Sequence, residues 1–149
     1  MAYQAKRSHK VTEDLELINE CGEVEKVIHV SLDADEMVRT INDKYVALLN
    51  AQKEAQQIRA GKENPETITA AYEKLGNIVV DMFWAVFGVE NTKGILDFYG
   101  DRTTEMCREV LPFVTQVILP RLRQISQENR KQVMQSYNRQ QRRFLNRRK

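Results

Sequence analysis

Ten consecutive residues, Ile78-Val79-Val80-Asp81-Met82-Phe83-Trp84-Ala85-Val86-Phe87, hold a single charge, and no other feature constrains the fold of this chain as strongly. A helix that is apolar almost all round has to be covered on more than one side. The run is therefore either the central helix of a core or a surface that another polypeptide covers. Extended to Val89 it reaches only a dozen residues, short of the roughly 20 that span a bilayer. A membrane partner is not expected.

Strong punctuation frames this run. Asn64-Pro65-Glu66 is a helix start, because Asn caps free amides and proline at the first helical position lacks a hydrogen that would be unpaired anyway. The spacing predicts a helix from Pro65 to about Phe87, ended by Gly88. Upstream, Asp33 and Glu36 stand three apart like a capping box. Met37, Val38, Ile41, Tyr45, Leu48 and Leu49 then recur at intervals of three and four, which predicts an amphipathic helix running to Gly61. Downstream, Ile95, Leu96, Phe98 and Tyr99 mark a short helix stopped by Gly100. A last helix is expected from about Arg102 to Tyr137, with Met106, Val110, Phe113, Val114, Val117, Ile118, Leu122 and Ile125 as its apolar face. Pro112 and Pro120 each remove a hydrogen bond within it, so a kink or break is expected.

The front of the chain has a different period. Val11–Ile18 and Glu23–Val30 alternate as strands do, and Asn19-Glu20-Cys21-Gly22 between them reads as a hairpin turn. Leu15, Leu17, Val24, Ile28 and Val30 would form the covered face, with Asp14, Glu16, Glu25 and His29 in water; Lys26 and Val27 fall on the wrong sides of that pattern. A lone hairpin is marginal in water and must lean on helices or on another chain's sheet edge. The fold expected is mainly α. An N-terminal β-hairpin (residues 11–31) precedes a bundle of three to four helices, the last long and proline-kinked. Residues 1–10 are a flexible lead-in, 11–137 a single helical domain and 138–149 a basic tail.

Composition supports a folded helical body. The chain is 42% apolar and 30% charged, with only three prolines and six glycines among its 149 residues. Its net charge of +2 hides an asymmetry, since Arg139, Arg142, Arg143, Arg147, Arg148 and Lys149 stand in a stretch without acids. Taking these six from 23 basic residues leaves 17 against 21 acids, a body near −4. That tail can be a solubilising segment, a peptide that docks on an acidic protein surface, or an arginine-rich element that folds onto RNA. Phe144 and Leu145 favour docking, because a purely solvated tail has no use for an apolar pair.

Reactive chemistry is thin. His9 and His29 have no third ligand at metal spacing, and no phosphate-binding loop or nucleophile elbow occurs. No metal, no cofactor and no catalysis are expected. Cys107 reads as a small packing residue and not as an activated thiol, and Cys21 and Cys107 as free thiols of a reducing compartment. The basic start MAYQAKRSHK is not followed by an apolar run, so export is not expected.

The segments VTEDLELINECGEVEKVIHVSLDADEMV, FGVENTKGILDFYGDR, VLPFVTQVILPRLR and SYNRQQRRFLNRRK, in this order, together resemble the tail assembly chaperones encoded by phages and prophages of Gram-positive bacteria. The resemblance implies a factor of the host cytoplasm that binds the tape-measure protein, and often the tail-tube subunit, before the tail polymerises. Such a factor is absent from the finished virion. Family members are often made in two lengths by ribosomal frameshifting, and this chain would match the short form. The residues expected to meet a partner are Met82, Phe83, Val86 and Phe87 with Phe113, Val117 and Ile118, as a groove for a client helix. A homo-oligomer would fit the same apolar surface. The alternatives are a small RNA-binding or regulatory protein that uses the arginine-rich tail, and a structural connector or scaffold of the virion.

Overall fold

A computed structural model describes residues 2–7, 9–61, 64–100 and 102–147. Strands β1 (Val11–Ile18) and β2 (Val24–Leu32) form an antiparallel hairpin, followed by α1 (Ala34–Ala60), α2 (Pro65–Phe87) and α3 (Val89–Tyr99). Helix α4 (Thr103–Pro112) continues through a π-helical segment (Phe113–Ile118) into α5 (Leu119–Arg147). The protein is mainly helical with a two-stranded front, as the hydrophobic periods indicate.

The punctuation residues act as their chemistry requires. The Asp33 carboxylate accepts from the Glu36 amide at 3.1 Å, and the Asn64 side chain accepts from the Glu66 amide at 3.0 Å. Each removes an orphan donor from a helix start. In the hairpin turn, Asn19 Oδ1 accepts from the amides of Cys21 and Glu23, both at 3.0 Å, while Gly22 takes φ 82°. That left-handed angle carries a penalty for any residue with a Cβ.

One detail of the hairpin departs from simple alternation. Leu17 pairs with Lys26 but Ile18 pairs with Val24, so Glu25 is the extra residue of a bulge. The bulge corrects the expected faces: Val24 is exposed, while Val11, Leu17, Ile28, Val30 and Leu32 are buried. Lys26, on the strand face that should be covered, escapes by laying its side chain across Gly94 of α3, where the missing Cβ leaves room for it.

Helix α2 lies at the centre. It packs on α1, α3, α4 and β2. Val79, Met82, Phe83, Val86 and Phe87 are buried, whereas Trp84 keeps 48% of its surface in solvent. Phe83 and Phe87 meet edge-to-face at 5.5 Å, and Phe87 stacks on Phe113 at 6.1 Å. Burying each of these large side chains contributes about 1.5–3 kcal/mol. Lys44–Asp81 (2.6 Å) and Lys74–Glu54 (3.2 Å) tie the outer edges of α1 and α2, and exposed pairs of this kind are worth about 0–1 kcal/mol.

The two prolines produce a widened turn instead of a break. Pro120 has no amide hydrogen and its ring crowds the carbonyl four residues earlier; the π-helical segment just before it relieves both demands. Helical structure then runs on to Arg147. The basic segment from residue 138 is therefore a continuation of α5 and not an irregular tail. Arg148 and Lys149 lie outside the described residues.

Candidate protein-binding surfaces

Of the seven residues expected to meet a partner, Met82, Phe83, Val86, Phe87 and Ile118 are buried in the core and Phe113 is half-buried. Only Val117, at 36% exposure, lies open. They do come together, through the Phe83, Phe87 and Phe113 rings, but as the interior of this chain. The groove expected between them is not open in this fold: α1, α3, α4 and β2 pack on α2, and six of the seven side chains are buried or half-buried.

Two other surfaces stand out. The first is the far part of α5. This helix runs antiparallel to α1, with Arg123 bonded to Asn42 and set 5.8 Å over the Tyr45 ring, and Asn129 donating to Asp35 at 3.1 Å. Asp35 stands in the first turn of α1, so everything in α5 beyond Asn129 overhangs the start of α1. Helical geometry makes this overhang, residues 130–147, about 27 Å long. Val133, Met134, Tyr137 and Leu145 are all exposed, Tyr137 at 54% and Leu145 at 61%, with Phe144 on the same side. Their spacing places them on one face of the helix, with Arg139 opposite, Lys131 and Arg142 along one flank and Arg143 along the other. Gln141 Nε2 donates to the Tyr137 hydroxyl at 3.0 Å, and a shallow hollow lies among Tyr137, Gln140, Gln141, Phe144 and Leu145. The whole-chain apolar count hid this stripe because five apolar side chains are diluted by glutamines and arginines. Its 3–4 spacing was the signal that could have revealed it.

The second surface is a cleft of about 890 Å³ between the turn end of the hairpin, α3 and the start of α4. Glu16, Glu20, Glu25, Asp97, Glu105 and Glu109 line it, against one cation, Arg102. Arg102 already reaches Glu20 (3.5 Å) and Glu105 (3.6 Å), and Arg108 holds Glu109 at 3.2 Å. Among the described residues no cation pairs with Glu16, Glu25 or Asp97. The floor is apolar, built from Leu15, Leu17, Phe98, Tyr99 and Val110, with the Phe98 and Tyr99 rings edge-to-face at 4.9 Å. Burial pushes the Tyr99 phenol above its ordinary pKa, and the negative charges of Glu109 and Glu105 push it further. The hydroxyl is thus held neutral in an acidic surround.

His29 and Cys107, singled out in the sequence, lie outside both surfaces. His29 is spent on a cross-strand contact with Asp14 at 2.6 Å, in solvent. Cys107 is half-buried, and burial raises its thiol pKa, which suppresses the thiolate. Among the described residues no cluster of three or more His, Cys, Asp or Glu side chains could hold a metal ion, and no helix is long and apolar enough to cross a membrane. Comparisons with family models, with curated proteins and with solved structures give no match.

Proposed function

We propose that this chain is a non-catalytic phage tail assembly chaperone, which holds the tape-measure protein, the tail-tube subunit or both in the host cytoplasm and leaves before the virion is complete. The observation that carries this reading is the α5 overhang, a helix with an exposed apolar stripe backed by arginines. Such a helix supplies half of a two-helix contact, and a long helical client with apolar faces of its own can supply the other half. Basic flanks favour clients whose apolar stripe is bordered by acids. The core supports the reading indirectly: a body closed around α2 leaves client binding to a projecting arm.

Co-expression with candidate tape-measure and tail-tube proteins, followed by affinity capture, tests the proposal. We expect at least one to be retained, and retention to fall tenfold or more in the variant Val133→Ser/Met134→Ser/Tyr137→Ser. Capture of neither protein overturns it. A second reading rests on the same arm, whose basic face carries no acid beyond Glu128: an RNA contact. RNA affinity that falls steeply with salt and vanishes on removal of residues 138–149 would select that reading. Finding the chain in stoichiometric amount in purified particles would select a structural connector.

A further inference from the structure

The acidic cleft and the basic arm are opposite in sign and alike in having an apolar strip beneath the charges. We propose that the cleft between the hairpin turn, α3 and α4 receives the α5 arm of a second copy of this chain. This contact needs no client, but it uses the arm that the functional reading gives to one, so a client and a second copy would compete for the same stripe.

The arm cannot serve its own cleft. Glu105, Glu109 and Val110 put α4 in the cleft wall, and from its end the π-helical segment and α5 lead away without a gap. Arg121 reaches Glu13, at the opposite end of β1 from Ile18. Val11 pairs with Leu32, so the arm leaves the body where β2 enters α1, whereas the cleft sits at the hairpin turn. Those two ends are about 25 Å apart at ~3.4 Å per strand residue. The arm extends that separation, so only a second molecule can bring cleft and arm together.

The match is chemical as well as topological. Arg142 flanks the stripe on one side and Arg143 on the other; their long stems let the guanidinium groups reach the rim while Tyr137 and Leu145 enter the cleft. Glu16, Glu25 and Asp97 are the rim carboxylates that no cation of the described chain neutralises. Guanidinium–carboxylate pairs over an apolar floor give such a docking both sign and direction. Arm and cleft are different patches, so the contact is head-to-tail, and repetition generates a ring or an open chain of copies.

The test is sedimentation velocity on the full chain across concentration and salt. We expect species larger than a monomer that grow with concentration and dissociate as salt rises. The cleft variant Glu16→Lys/Glu25→Lys/Asp97→Lys and the arm variant Arg139→Glu/Arg142→Glu/Arg143→Glu should each associate at least tenfold more weakly alone, with unchanged far-UV circular dichroism as the check on folding. Mixing the two is decisive. The arginine arm of the first meets the native cleft of the second, and the glutamate arm of the second meets the lysine cleft of the first, so assembly should return. A monomeric wild type at low salt overturns the proposal, and so does an oligomer indifferent to either reversal or a mixture that stays monomeric. A loss confined to the arm variant assigns the arm to some other surface and equally overturns it.

Discussion

The second half of α2 and the last turns of α5 make opposite impressions as sequence and exchange roles in three dimensions. The first is dense in large apolar groups and looks adhesive, yet Val79, Met82, Phe83, Val86 and Phe87 are sealed by four neighbouring elements. The second is mostly Gln, Arg and Asn, yet its few apolar residues line one exposed face. Apolar density measures how much covering a segment needs. Whether the chain supplies that covering itself is a property of topology, and it decides which segment meets other molecules.

The sharpest way to break this contrast is at Phe83. Because the ring is fully buried, Phe83→Ala should destabilise the fold by about 3–5 kcal/mol, read as a fall in the chemical-denaturation midpoint. A loss under 1 kcal/mol would mean that the ring is available to a partner after all. The matching experiment on the arm is Val133→Ser/Met134→Ser/Tyr137→Ser. All three side chains are exposed, so stability should move by no more than about 0.5 kcal/mol per site. Client capture, by contrast, should collapse.

A smaller effect tests how well the core is closed. Thr92 on α3 is fully buried, and its hydroxyl has no hydrogen-bond partner among the described residues. An unsatisfied buried hydroxyl costs roughly 1–3 kcal/mol. Replacing it by the near-isosteric Val should raise stability by about 1 kcal/mol in the same denaturation assay. An unchanged or lowered midpoint would show that the hydroxyl is solvated, and the core around α3 less sealed than the burial of Ile95 and Phe87 indicates.

What was legible in the sequence follows from the range of the forces involved. Helix boundaries at Asp33, Asn64, Gly88 and Gly100 were readable because capping and chain reversal are decided within a few residues. The mainly helical class and the hairpin were readable from periodicity. The Glu25 bulge was not, since it depends on how Ile18 and Val24 meet across the turn. The long last helix was readable as far as about Tyr137, but the π-helical form of its irregularity was not: two prolines predict a kink or break, and here a widened turn carries Val114 and Ile118 into the core. The acidic cleft was invisible for a further reason. Its carboxylates come from β1, the turn, β2, α3 and α4, and nothing local marks Glu16, Asp97 and Glu109 as neighbours.

The gentlest probe of the contrast is the Tyr99 phenol on the cleft floor. Its pKa is raised first by burial and then by Glu109 and Glu105. Protonation is therefore favoured by the folded state, so the stability linked to this group is present below the ordinary value of 10.0 and is lost as pH rises through the folded value. Ultraviolet titration of tyrosinate, with Tyr99→Phe as the difference reference, should find the group above 10.0 in a chain shortened by residues 138–149. Glu105→Gln should lower it only in part, because burial is the larger cause. In the full chain at associating concentration, guanidinium groups seated at the rim favour the phenolate, while added burial opposes it. The arm variant Arg139→Glu/Arg142→Glu/Arg143→Glu keeps the monomer's cleft. A Tyr99 titration that differs between full chain and arm variant, at concentrations where the full chain is assembled, would place the contact over this floor.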